Sequence, residues 1–211
     1  MVNRVMSLEV IKKAARKIAP GPAPSFTQVH IMKALEVISN KKTIGRKNLA
    51  RWLALGEGET RTLVRHLKIA KLIETSRSGI ALLKFGKRVL SDLQSRIQGG
   101  IDIPQSTLTV GKFNIAVLVK NSSHKVSYGL EQRDTALRVG ALGATTLVFS
   151  RNNLNMPGVS EDIFREIPRI QDMLISKLNP GENDVIIIGS SDEKIFAELG
   201  AKAAALELLT G

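Results

Sequence analysis

Between Thr43 and Leu90 the chain concentrates side chains suited to holding a polyanion. Arg61, Thr62, Arg65, His66 and Lys68 fall on one side of a helical pattern over Glu59–Ala70, and Thr60, Leu63, Val64 and Leu67 fall on the other. Such a helix has an apolar back to hold it and a front of Arg and Thr that can meet base edges and phosphates. Thr43, Arg46 and Lys47 open a preceding helical pattern, Arg46–Leu55, where basic side chains and unpaired N–H groups can hold a phosphate. Arg77 stands beside Gly79 at the tip of two short strand patterns, Leu72–Ser76 and Ile80–Leu83, placed to touch a minor groove or the backbone. Lys84, Lys87 and Arg88 begin the next helical pattern and can add phosphate contacts.

The elements that must position these groups follow in a telling order. A helix, the turn Gly56-Glu57-Gly58, a second helix and a hairpin make the order of a winged helix-turn-helix, which projects one helix into a DNA major groove. Two helical patterns precede it. Residues 4–19 carry Val5, Leu8, Ile11, Ala15 and Ile18 on one stripe. Phe26–Ile38 carries Val29, Met32, Leu35, Val37 and Ile38, with Ser25 as its expected N-cap. The proline-rich stretch Pro20–Pro24 separates the two as a stiff connector. Trp52, among Leu49, Leu53 and Leu55, reads as core, and with 4% aromatics a base-stacking single-strand binder is disfavoured.

Charge reinforces this reading. Residues 1–100 hold 20 Lys and Arg against 6 Asp and Glu, a net of +14, whereas residues 101–211 hold 11 against 13, a net of −2. The whole excess of the +12 chain sits on the half with the helix-turn-helix pattern, as a polyanion reader requires. A generally basic surface would spread over both halves. No apolar run approaches the ~20 residues of a membrane span, and no leader-like apolar segment opens the chain. With no cysteine there are no disulfides, no thiolate metal sites and no cysteine nucleophile, which fits a cytoplasmic protein.

The second half alternates strands and helices. Phe113–Lys120, Ala144–Ser150 and Asp184–Gly189 read as strands, the last wholly apolar and therefore central to a sheet. Tyr128–Gly140 and Ser190–Leu209 read as helices, and Glu161–Leu178 as a helix broken or kinked at Pro168. Gln98-Gly99-Gly100 reads as a flexible break. The expected architecture is α+β in two domains: a mostly helical winged helix-turn-helix over 1–98 with an extra N-terminal helix and a linker helix, then a two-layer α/β sandwich over 101–211.

Two sites in this half could hold a ligand. Arg133 and Asp134 are adjacent charges near a helix start, readable as a ligand or partner site or, more plainly, as an ion pair on a solvated surface. Ser190 and Ser191 follow an apolar strand and could hold an anion at a helix N-terminus, although Ser190 and Glu193 fit a capping box better. His30, His66 and His124 lack metal-ligand spacing, and no nucleotide loop, nucleophile elbow or zinc-protease motif is present, so no metal, cofactor or catalysis is expected.

Pro22-Ala-Pro-Ser-Phe26, Gly45-Arg46, Leu49-Ala50, Gly58-Glu-Thr-Arg61-Thr62, Leu72-Ile73 and Phe85-Gly86-Lys87 resemble a group of uncharacterised archaeal winged-helix proteins classed as transcription regulators, in which a small α/β domain follows the winged helix. One departure is Lys71, where many winged helices have Gly before the wing. Gly129–Phe149, a helix, a glycine hinge and a strand, is similar to the GAD-type insertion domains of some aminoacyl-tRNA synthetases and amidotransferases, which implies a non-catalytic domain. Together these readings lead to a homodimeric regulator of sequence-specific double-stranded DNA binding, with an unknown small-molecule effector left open and no membrane partner. The rivals are an RNA- or protein-binding module of translation and, behind it, an enzyme with a fused winged helix.

Overall fold

The computed structural model describes residues 3–18, 23–159 and 162–210, with side chains described from Met6 onward. Residues 20–22 of the proline connector, Glu161 and the Val5 side chain lie outside that description. The chain divides into two compact units, Met1–Gln94 and Ser95–Gly211. It is an α+β protein: a helical first unit with one hairpin, and a second unit built on an antiparallel sheet.

In the first unit, α1 (Asn3–Ala15), α2 (Gln28–Lys41), α3 (Arg46–Leu53) and α4 (Glu57–Ile69) precede the hairpin β1 (Ile73–Ser76) and β2 (Gly79–Leu82), and α5 (Lys84–Arg96) follows. α2 is the central helix, with every residue from Val29 to Leu35 buried. Leu8 and Ile11 of α1, Leu49 and Leu53 of α3, Leu63 and Leu67 of α4 and Val89, Leu90 and Leu93 of α5 complete the buried core. Their spacings of three and four residues are why these stretches form helices: each covers one stripe, worth roughly 2 kcal/mol per fully buried Leu. The N-cap of α2 is Thr27, not Ser25. α4 begins at Glu57, two residues before the expected start, because Glu59 Oε2 accepts from the Gly56 N–H at 2.7 Å and stabilises the earlier turn.

α4 ends in a Schellman pattern: Leu72 N–H donates to Leu67 O at 3.0 Å and Lys71 N–H to Lys68 O at 2.9 Å. The residue this motif places in the left-handed region is Lys71, at φ 56°. The geometry is therefore the glycine geometry, held by a lysine at a steric cost. Lys71→Gly is expected to leave the fold unchanged and to stabilise the first unit by about 0.5–1 kcal/mol, read as a higher urea midpoint with the same slope.

In the second unit the sheet runs in the order β3 (Ile97–Asp102), β4 (Phe113–Val119), β7 (Val185–Ser191), β5 (Gly143–Ser150), β6 (Asn153–Asn155), and all pairings are antiparallel. β7 is central and buried throughout, as its apolar run implies. Gln98-Gly99-Gly100, read from sequence as a flexible break, lies instead inside the edge strand β3, with a register shift between Gly99 and Ile101. The helix layer on one face consists of α6 (Leu130–Arg138) and α8 (Lys194–Thr210). Gly189 in β7 lets α8 approach, since a Cβ there would strike the Ala197 carbonyl. On the opposite face Ala116, Leu118, Leu147, Phe149, Ile186 and Ile188 pack with Phe164 and with Ile170, Leu174 and Leu178 of α7 (Pro168–Leu178). Pro168 opens α7 at its first turn, where its missing N–H costs nothing.

Candidate nucleic-acid interface

α4 presents Arg61, Arg65 and Lys68 at i, i+4 and i+7, all exposed, above the buried Thr60, Leu63 and Leu67. The hairpin is fastened beside this face. Ile44 and Ile80 exchange two backbone hydrogen bonds, 3.1 and 2.9 Å, which tie the entry of α3 to β2 and bring Arg46 to the same place. The result is a groove of about 680 Å³ lined by Arg46, Arg61, Arg65, Lys68 and Arg77, with Val64, Ile69 and Ile80 among its apolar lining. Among the described residues none of these five cations has an ion pair. Five unpaired cations in one groove repel one another and are relieved by an anion, which is a physical reason for the groove to bind phosphate.

The hairpin tip is Arg77-Ser78, joining Ser76 to Gly79. Ser76 Oγ accepts from the Ser78 N–H at 3.2 Å and shortens the turn, which leaves Arg77 exposed at its end. Thr62 is exposed, and its hydroxyl donates to Gly58 O at 3.2 Å, which leaves the oxygen free to accept. Thr43, Lys47, Lys84, Lys87 and Arg88 are exposed but lie outside the groove lining. On the other flank of α4 a second cavity, about 610 Å³, is lined by Lys17, Ser25, Phe26, Glu59 and Thr62, with Arg61 and Arg65 shared. Lys17 and the apolar Val64 and Ile69 are site residues that spacing alone did not single out.

Several expectations are corrected. His66 does not face outward: it is buried, its Nδ1 lies 2.8 Å from Ala14 O, and its ring meets Phe26 edge-on. It joins α1 to α4 and leaves the DNA-facing set. Trp52 is not core but 47% exposed, with Lys41 Nζ 5.5 Å from its ring centre. Ser190 and Ser191 are buried residues of β7, paired in the ladder, and α8 starts only at Lys194. They form neither a ligand site nor the expected capping box. Arg133 and Asp134 are half exposed and pair with each other at 3.2 Å, the plainer of their two readings.

A short polar network joins the start of α4 to the segment that enters α2. Ser25 hydrogen-bonds the Glu59 carboxylate, which also caps α4, and both contacts hold Glu59 below the usual carboxylate range. His30, buried at the third position of α2, accepts from the Thr27 N–H at 3.1 Å through Nδ1, so its ring is neutral. Burial lowers its pKa from 6.5, while the Glu59 charge opposes the shift. The unfolded chain then binds the extra proton, so His30's contribution to stability is complete above pH 6.5 and is lost as pH falls below it. His30→Gln keeps an acceptor at the same position and removes the titration. Urea midpoints taken from pH 7.5 to pH 5 are expected to fall more steeply for the wild-type protein than for His30→Gln; equal slopes would refute the assignment.

Residues 30–97 match the CggR N-terminal DNA binding domain. The chain therefore carries an N-terminal DNA-binding domain. The match spans α2 through α5, and so takes in the whole groove of the DNA-binding domain. Residues 110–208 match the Domain of unknown function (DUF4443), and that description carries nothing of the GAD-type resemblance. A hypothetical protein from Pyrococcus horikoshii OT3 is similar in structure, with a TM-score of 0.64 and 27% identity, over 83% of this chain and 90% of that one. No curated protein matches the chain. No helix among the described residues is long and apolar enough to cross a membrane.

Proposed function

We propose that the protein is a transcriptional regulator that binds double-stranded DNA sequence-specifically as a homodimer in the cytoplasm. The observation that carries this is the groove between α4 and the hairpin, with five unpaired cations inside the segment similar to a DNA-binding domain. In this winged-helix reading α4 lies in the major groove. Arg61 and Arg65 meet base edges, where an arginine can donate two parallel hydrogen bonds to guanine. Thr62 offers a methyl to thymine or a hydroxyl lone pair to an amino group. Arg46 and Lys68 hold the flanking phosphates, and Arg77 carries the wing to the backbone or the adjacent minor groove. Lys47, Lys84, Lys87 and Arg88 add charge that attracts the duplex without reading it.

Two copies follow from energetics. One helix reaches few bases, whereas two half-sites roughly add their free energies. The role is binding and not catalysis. Selection of bound duplexes from a random library with the full chain tests the reading, followed by competition of the selected duplex against structured RNA at one salt concentration. A shared motif and preference for the duplex are expected. Tighter binding to RNA with no enriched DNA motif would overturn the proposal in favour of an RNA-binding module.

A further inference from the structure

The second unit exposes apolar side chains that its own fold leaves uncovered. α6 turns Gln132 and Ala136 inward and carries Leu130 and Leu137 outward, 49% and 46% exposed. Seven residues apart, the two leucines stand in line two turns from each other. Arg133 and Asp134 lie between them, one on each side of that line. Past the end of the helix, Leu142 is 49% exposed and its N–H donates to Ser190 O, beside the Phe113–Ser191 pair. Phe113 and Val110 are also exposed, and Val110 lies against Gly143. Exposed apolar side chains thus stand on α6, just past its end, and at the first residues of β4.

We infer that this face receives the same face of a second copy of the chain, which names the dimer surface that the proposed function needs and rests on that reading only for its purpose. Charge complementarity selects the occupant. If two α6 helices pack side by side in the same direction about a two-fold axis along them, Leu130 and Leu137 each meet their counterparts. Each flank then sets Arg133 of one copy against Asp134 of the other. One chain carries both charges, so the surface complements itself. Within one copy the pair joins adjacent exposed residues and holds little energy, so it exchanges partners at low cost. The long-range field agrees: copies meeting through residues 1–100 would oppose +14 against +14, whereas residues 101–211 carry only −2.

The test is sedimentation equilibrium of the full chain without DNA, at about 20 μM, with circular dichroism to confirm folding. The wild-type protein is expected at twice the 23.0 kDa chain mass. Leu137→Glu, or Leu130→Glu if that variant loses helix, is expected to be monomeric. Asp134→Arg is expected to raise the dimer dissociation constant about ten-fold or more, and the exchange Arg133→Asp with Asp134→Arg to restore it to within about three-fold. A monomeric wild-type chain, a dimer indifferent to both glutamates, or an exchange that restores nothing overturns the inference. The two readings fail separately: a monomer that still selects a DNA motif sinks this surface and the homodimer but leaves the DNA reading, and a dimer that selects none sinks only the DNA reading.

Discussion

Arg61→Ala and Arg65→Ala are each expected to weaken binding to the preferred duplex by about 1–3 kcal/mol, roughly five-fold to 150-fold, and to blur its base preference. Both side chains line the groove, are exposed and lack an ion pair, so removing either disturbs nothing in the folded domain. The loss then belongs to the contact itself. An arginine that donates two bonds to one base discriminates against the other three, and Ala leaves those base atoms unsatisfied. Lys87→Ala is the contrast. Lys87 is exposed on α5, outside the groove lining, and is expected to lower affinity equally for all sequences and to reduce the salt slope by about 1. Fluorescence anisotropy on the selected duplex and on a scrambled one, at two salt concentrations, distinguishes the two outcomes. If the arginine variants weaken both duplexes alike, Arg61 and Arg65 touch phosphate, and base reading by this face of α4 is refuted.

What the sequence showed and what it hid divide on one physical line. Periodicity reports the side of a helix that one neighbour covers, so Leu63 and Leu67 of α4 and the apolar run of β7 were legible. It does not report what a distant segment brings. His66 lies at the margin of the buried stripe, and what buries it is the Ala14 carbonyl, 52 residues away in sequence, together with Phe26. Trp52 failed for a related reason. Leu49, Ala50 and Leu53 occupy the inward side of α3, and the position three after Leu49 lies about 100° from the middle of that side, so the largest side chain is left outward. Apolar type had suggested core where angle forbade it. At Ser190 and Glu193 a good local cap lost to the sheet: Ser190 pairs with Asn114 and Gly143, and two ladders outweigh one cap. The Gly99-Gly100 pair resembled a linker because flexibility and a β-bulge use the same residue. The groove itself was half legible. Its arginines could be placed on one helix face, but the Ile44–Ile80 bridge that brings Arg46 and the hairpin beside them joins residues 36 apart in sequence.

Gly86→Ala is expected to have the second large effect, on stability. Two forces oppose each other there. Gly86 lies within the first turn of α5, and Ala in a helix is ordinarily better than Gly by up to about 1 kcal/mol. A Cβ on Gly86, however, would strike the Leu72 carbonyl oxygen, which is backbone and cannot swing aside. That oxygen already accepts the Leu83 N–H at 3.0 Å, the bond that fixes the exit of the hairpin to the start of α5. Relief of the clash requires α5 and the hairpin to part, which loosens a buried bond and the packing of Leu72 and Val89 around it. Overpacking against backbone costs about 1–3 kcal/mol and more where nothing yields, so the clash exceeds the helix gain and the net change is destabilising by about 2 kcal/mol. The two units allow an internal control: the unfolding transition of the DNA-binding domain should move to lower urea while that of the second unit stays in place. Because the same shift frees the hairpin, the variant is also expected to bind the preferred duplex more weakly at a urea concentration where it is still folded. A Gly86→Ala protein as stable as the wild type, with unchanged affinity, would show that α5 does not fasten the hairpin and that the groove is held by the Ile44–Ile80 bridge alone.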